Sequence, residues 1–184
     1  ALAGSKVLEY SRNTRNIKDS TIFKKAKARG LISIAKTSTV EFAFGGLGLN
    51  NSNPLPYNIR LGRNYPAGGS STGSAAAVFA GISPISVGTD TAGSVRIPAA
   101  WHGLVGFKPS HKRISKRGIL PLSKTYDTVG IISKCVLDAK LLFGIISKKN
   151  LNIEDKSNKD LKICLVKDFI TEDLNAKALE EFEV

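Results

Sequence analysis

The chain has little of what several kinds of function require. Its 184 residues contain two cysteines, two histidines, one tryptophan and no methionine. Cys135 and Cys164 stand far apart and are bracketed by apolar residues, which reads as reduced core thiols of a cytoplasmic protein and argues against a disulfide framework. His102 and His111 have no partners at ligand spacing, so no metal is expected, and no other cofactor either. No apolar run reaches the length of a membrane span and no secretory signal is visible, so no membrane association is evident. Internal repeats and low-complexity tracts are lacking too. A start without methionine, and an amphipathic segment at 175–184 that breaks off without a stop signal, point to a piece of a longer protein and leave targeting open.

Acidic residues are scarce: 15 Asp and Glu stand against 27 Lys and Arg, a formal net charge of +12. Such a charge commonly marks nucleic-acid binding, and residues 108–117 concentrate it. The lysines are nonetheless scattered along the whole chain, which is the pattern of a solvated face, so nucleic acid is not the expected partner. The oligomeric state is not legible.

What is present suits one globular α/β domain: the hydrophobic fraction is 42%, and the length is enough for a real core. The patterning predicts helices near 20–29, 74–80 and 136–147 and strands near 31–36, 84–88, 104–108 and 129–134. A polar loop follows over 147–162, then a strand at 161–166 and a last helix. Helices alternating with apolar strands imply a three-layer α/β/α sandwich.

Two serine-bearing turns carry the chemistry. Gly68-Gly69-Ser70-Ser71-Thr72-Gly73-Ser74 cannot be regular structure, because glycine reaches positive φ freely and hydroxyls compete for backbone hydrogen bonds. It opens onto Ala75-Ala76-Ala77-Val78-Phe79-Ala80, a strong helix former stopped by Gly81. Pro84-Ile85-Ser86-Val87 reads as a short buried strand ending at Gly88-Thr89-Asp90-Thr91-Ala92-Gly93-Ser94. A turn of small residues at a strand's end can aim consecutive N–H groups at one point, as a developing oxyanion requires, and Ser94 is the serine best placed to attack.

Competing readings exist. A plain linker would not open onto an apolar helix within a hydrophobic run, and a phosphate-cradling loop would need a lysine after Gly73. Gly69-Ser70-Ser71-Thr72-Gly73 matches the Gly-x-Ser-x-Gly nucleophile elbow, with Ser71 attacking, but no buried strand precedes it. A Ser94–His111–Asp127 triad is a further possibility. Against it, His102 reads as a packed residue beside Trp101 and His111 as a surface group, and geometry rather than composition defines a triad. Asp90 and Arg96 flank the second turn and are expected to pair and brace it.

Residues 68–100 resemble the amidase signature, the defining segment of the Ser-Ser-Lys amidases. The likeness extends upstream through Ala35-Lys36-Thr37, Val40-Glu41-Phe42-Ala43 and Gly46-Leu47-Gly48-Leu49-Asn50. Downstream it continues through Gly103-Leu104-Val105-Gly106-Phe107-Lys108-Pro109 and Tyr126-Asp127-Thr128-Val129-Gly130. The resemblance implies a large, twisted, mixed sheet, a small-molecule amide as substrate and an acyl-enzyme on Ser94. It also implies that Ser70 is the bridging serine, joined to Gly69 by a cis peptide, with Ser71 beside it. Backbone N–H groups of Thr91, Ala92, Gly93 and Ser94 would hold the oxyanion, Ala92 standing where most members have glycine. The family's base is a lysine in a Gly-x-Pro-x-x-x-Lys-Asp motif that would lie upstream of residue 1. Lys18-Asp19 imitates the dipeptide without the preceding apolar strand, and Asp19-Ser20-Thr21 reads as a helix start. Residues 1–184 are therefore expected to form a partial amidase domain, lacking the lysine motif and a C-terminal part and inactive alone. Two alternatives stay open: the A subunit of glutamyl-tRNA amidotransferase, and a non-catalytic amidase-like module. The amidotransferase branch usually reads Arg-Gln-Pro after the nucleophile, whereas Arg96-Ile97-Pro98 stands here.

Overall fold

The structure, a computed structural model, describes residues 5, 18–147, 162, 175–177 and 180. The chain divides into two compact units, Ala1–Leu151 and Asn152–Val184. In the second, residues 176, 177 and 180 are helical and exposed; the strand expected at 161–166, most of the 147–162 loop and Cys164 lie outside the described residues.

The first unit is an α/β sandwich around a three-stranded sheet. In chain order come α1 (Thr21–Ala28), a 3₁₀ turn (Glu41–Ala43), α2 (Thr72–Phe79), β1 (Ile85–Asp90), α3 (Arg96–Trp101), β2 (Val105–Phe107), β3 (Thr128–Ser133) and α4 (Val136–Ile146). The strand order is β1-β3-β2, and both pairings are antiparallel. The buried central strand β3 faces both ways, as its alternation demands. Val129 and Ile131 pack with Ile22 of α1 and with Ala139, Leu142, Phe143 and Ile146 of α4. Ile132, on the other face, packs with Ala75 and Val78 of α2 and with Val95 and Ala99 at α3. That division makes the three layers.

The two faces are built differently. The α1/α4 face interlocks large side chains, with Phe107 meeting Phe143 edge-on at 5.2 Å. The α2/α3 face is lined by Gly88 and its register partner Gly130, with Gly106 beside them opposite Ile132. A Cβ on Gly88 would stand 2.3 Å from Ser71 Oγ, one on Gly130 2.8 Å from the Phe107 carbonyl oxygen, and one on Gly106 2.8 Å from Ala99 Cβ. Apart from Ile132, the helices and loops on this face approach the sheet closely because glycine stands at 88, 106 and 130.

Local chemistry explains most of the boundaries. Ser20 caps α1, its Oγ accepting from the Phe23 N–H at 3.2 Å, while Lys25 and Lys27 complement the dipole in the last turn. Lys25 also donates to the Ser147 carbonyl beyond the end of α4. Helix α2 begins two residues before the expected start. Helix α3 is not foreshadowed in the sequence pattern: Pro98 argues against it, yet Pro98 sits in the first turn, where a missing N–H costs nothing.

Residues 31–36 are not a strand; Ile32 is 88% exposed and Ile34 63%. The apolar pattern is there, but nothing among the described residues supplies a ladder partner, and pattern without pairing does not make a strand. Cys135, expected in the core, is a free exposed thiol just before α4.

Candidate active site

The first serine turn is held from outside. Gly68 N–H donates to the Leu47 carbonyl at 3.1 Å, Gly69 N–H to Gly46 at 2.7 Å, and Gly73 N–H to Ser38 at 2.9 Å. The Ser70 carbonyl accepts from the Val40 N–H at 3.1 Å and the Thr39 hydroxyl at 2.7 Å. The two backbones lie so close that a Cβ on Gly69 would meet the Gly45 carbonyl oxygen at 2.6 Å, and one on Gly48 the Gly68 oxygen at 2.4 Å. The Gly69–Ser70 peptide is cis. Ser70 is fully buried, and its hydroxyl has no hydrogen-bond partner among the described residues.

The neighbouring hydroxyls are occupied. Ser71 Oγ bonds the Thr89 backbone, donating to its carbonyl and accepting from its N–H, both at 3.3 Å. Thr72 donates to the Gly68 carbonyl at 2.8 Å, and Ser74 to the Val87 carbonyl at 2.9 Å. Ser71 is thus a strut between the loop and β1 rather than an exposed nucleophile on an elbow.

The second turn hangs from the end of β1. Asp90 is fully buried and accepts from the N–H groups of Gly93 (2.8 Å) and Val95 (3.1 Å) and from the Arg96 fork (3.0 and 2.9 Å). Burial pushes its carboxyl pKa up, but hydrogen bonds from Arg96, Gly93 and Val95, together with the guanidinium charge, outweigh that and hold it below the usual value. The same partner raises Arg96. Gly93 therefore departs from its expected role, since its N–H is directed to Asp90 and not to an open oxyanion site. Among the described residues the N–H groups of Thr91, Ala92 and Ser94 carry no hydrogen bond.

The two turns meet: Ser71 N–H donates to the Ser94 carbonyl at 3.1 Å. Ser94 is half-buried, Thr91 likewise, and Ala92 is exposed. Two clefts, of about 500 and 270 Å³, open nearby and share Thr89 and Ile119; Ser70 and Ser94 are not among their lining residues. The larger runs past Lys18, Lys36, Thr39 and Phe42.

No His-based triad is assembled. His102 is buried with Nδ1 2.9 Å from the Pro98 carbonyl, and His111 is exposed. Asp127 is engaged elsewhere: it accepts from Thr91 Oγ1 at 2.6 Å and from the N–H groups of Leu122 and Ser123, both at 2.9 Å. Sequence reasoning misses that contact with the second turn, and only a motif linking 91 to 127 could have signalled it. Among the described residues no group of His, Cys, Asp or Glu could hold a metal.

One α/β sheet thus carries two serine-bearing turns that meet over its glycine-lined face. The chain belongs to the amidase family, whose model matches residues 1–183. It is 44% identical over 135 residues to an indoleacetamide hydrolase of Pseudomonas syringae pv. syringae, covering 71% of this chain and 29% of that enzyme. It is 36% identical over 190 positions to the A subunit of the glutamyl-tRNA(Gln) amidotransferase of Sulfurihydrogenibium sp., covering 96% of this chain and 38% of that protein. A crystal structure of an amidase superposes with a TM-score of 0.74 at 37% identity, covering 85% of this chain and 35% of that one. The chain thus spans roughly a third of the length of these relatives.

Proposed function

We propose that this chain is the serine-bearing part of an amidase that hydrolyses a small carboxylic amide through an acyl-enzyme on Ser94. The observation that carries it is the Ser70 hydroxyl, buried and unpartnered among the described residues, beside the Ser94 turn. A buried hydroxyl without a partner costs about 1–3 kcal/mol, which a relay role accounts for. Ser94 Oγ attacks the amide carbon while its proton passes to Ser70 Oγ, whose own proton goes to the base. The oxyanion is met by N–H groups of Thr91, Ala92 and Ser94. The C–N bond breaks as the departing nitrogen takes the proton back, and water then releases the acid from Ser94. The base is a lysine supplied from outside these 184 residues; Lys18, on the wall of the larger cleft, is not it. No helix among the described residues is long and apolar enough to cross a membrane, and a cytoplasmic enzyme fits the free thiol at Cys135.

The test is a serine-reactive fluorophosphonate with mass spectrometry, together with ammonia release from indole-3-acetamide, glutamine, short aliphatic amides and urea derivatives. In full-length protein Ser94→Ala abolishes labelling and turnover, whereas Ser70→Ala leaves an activity about 10²–10⁴-fold slower, the usual worth of a proton relay. Residues 1–184 alone show no turnover. An adduct on Ser71, or Ser94-dependent turnover by the isolated chain, overturns the assignment.

One observation favours a second reading: the relative covering 96% of the chain belongs to an amidotransferase. Tight, salt-steep tRNA binding lost on neutralising Lys112, Arg113, Lys116 and Arg117 would select it; weak binding indifferent to them selects the stand-alone amidase. Full-length protein that neither labels nor turns over any amide would leave a non-catalytic module.

A further inference from the structure

We infer that Asp127 is a positioning residue for the oxyanion turn, acting through the Thr91 hydroxyl; this rests on the amidase reading above. The turn from 91 to 96 is held by two aspartates from adjacent strand ends. Asp90 closes β1 and grips the later half through Gly93, Val95 and Arg96. It makes no bond to Thr91 or Ala92, two of the three residues whose N–H groups are open. Asp127 immediately precedes Thr128, the register partner of Asp90, so its side chain emerges at the same end of the sheet. Asp127 is 5% exposed, and its carboxylate is doubly anchored, Oδ2 by the Leu122 N–H and Oδ1 by that of Ser123, before Oδ1 takes the Thr91 hydroxyl at 2.6 Å. Asp127 N–H in turn donates to the Ser123 carbonyl at 3.1 Å. A side-chain tether leaves the Thr91 amide free to point at substrate, which a backbone tether would not. The anchor also forms part of the wall of the 270 Å³ cleft, with Ile119, Pro121 and Lys124, so the turn and that wall are held in one register.

The decisive variant is Thr91→Val in full-length protein, because it removes the hydroxyl while leaving the shape of the side chain and the bonds of Asp127 to the backbone of Leu122 and Ser123. Loosening oxyanion donors acts on the transition state, so kcat falls about tenfold or more while KM stays within about threefold. Thr91→Ser restores kcat, and the Thr91→Val/Asp127→Ala double variant is no slower than Asp127→Ala alone, because the two side chains act as one unit. Thr91→Val with wild-type kcat and wild-type Ser94 labelling overturns the tether and leaves the amidase reading standing. Wild-type protein whose Ser94 takes no fluorophosphonate overturns both.

Discussion

Replacing Asp90 by alanine tests the architecture of the second turn without needing any substrate. Its fully buried carboxylate meets the N–H groups of Gly93 and Val95, and more distantly that of Arg96 at 3.4 Å. Each buried donor left unpaired costs about 1–3 kcal/mol. The Arg96 side chain is 51% exposed, so solvent takes over most of its loss, and the ion pair adds under about 1 kcal/mol. Asp90→Ala should therefore cost about 3–5 kcal/mol, and Arg96→Ala less than half of that, since it leaves the backbone bonds of Asp90 in place. The pH dependence follows from the lowered pKa. A carboxylate whose folded value lies below its unfolded one stabilises the fold above the unfolded value, about 3.9, and loses that contribution as pH falls through the folded value. Wild-type protein should lose stability below about pH 4 with a limb that Asp90→Ala lacks. Urea unfolding followed by far-UV circular dichroism, and by fluorescence of the single tryptophan, Trp101, reads both effects. A loss below about 1 kcal/mol for Asp90→Ala, or an equal loss for Arg96→Ala, would show that the turn is held otherwise.

Gly88→Ala forces a Cβ to within 2.3 Å of Ser71 Oγ and should destabilise by about 1–3 kcal/mol, with a fall in midpoint urea concentration as the readout. Gly144→Ala, in α4 with nothing within 4 Å of the added methyl, should stabilise by about 0.5–1 kcal/mol in the same titration. Cys135 should react with a thiol reagent in the native state, a phase that Cys135→Ser removes; a native protein without that phase would place this thiol inside after all.

Local chemistry made much of this molecule legible. The glycine-serine turn opening onto an alanine-rich helix placed α2 to within two residues, and the apolar runs gave β1, β2 and β3, because each signal sits inside one short window. What escaped depended on partners. Residues 31–36 carry a strand's pattern but no pairing segment, so the pattern misled. Cys135 stands between Lys134 and Val136, all three exposed, just before α4, where burial is decided by packing and not by sequence context. The Gly93 N–H turns to Asp90, only three residues earlier, which an aspartate followed at that spacing by glycine could have signalled; the link from Thr91 to Asp127, by contrast, spans 36 residues. Contacts of that range leave no periodicity to read.

The bare face of the sheet gives the two sides of one strand unlike tolerances. On the α1/α4 side, Val129 and Ile131 meet other side chains, and exchanges of similar volume can be absorbed by rotamer shifts among Leu142, Phe143 and Ile146. On the opposite side, Gly130 meets main chain and Val95, which cannot yield in that way. At 88, 106 and 130 the spacing leaves no room for a Cβ between the sheet and Ser71, Val95 or Ala99. A library randomised at 129 and 131 should return many folded sequences, and one randomised at 88, 106 and 130 should return glycine.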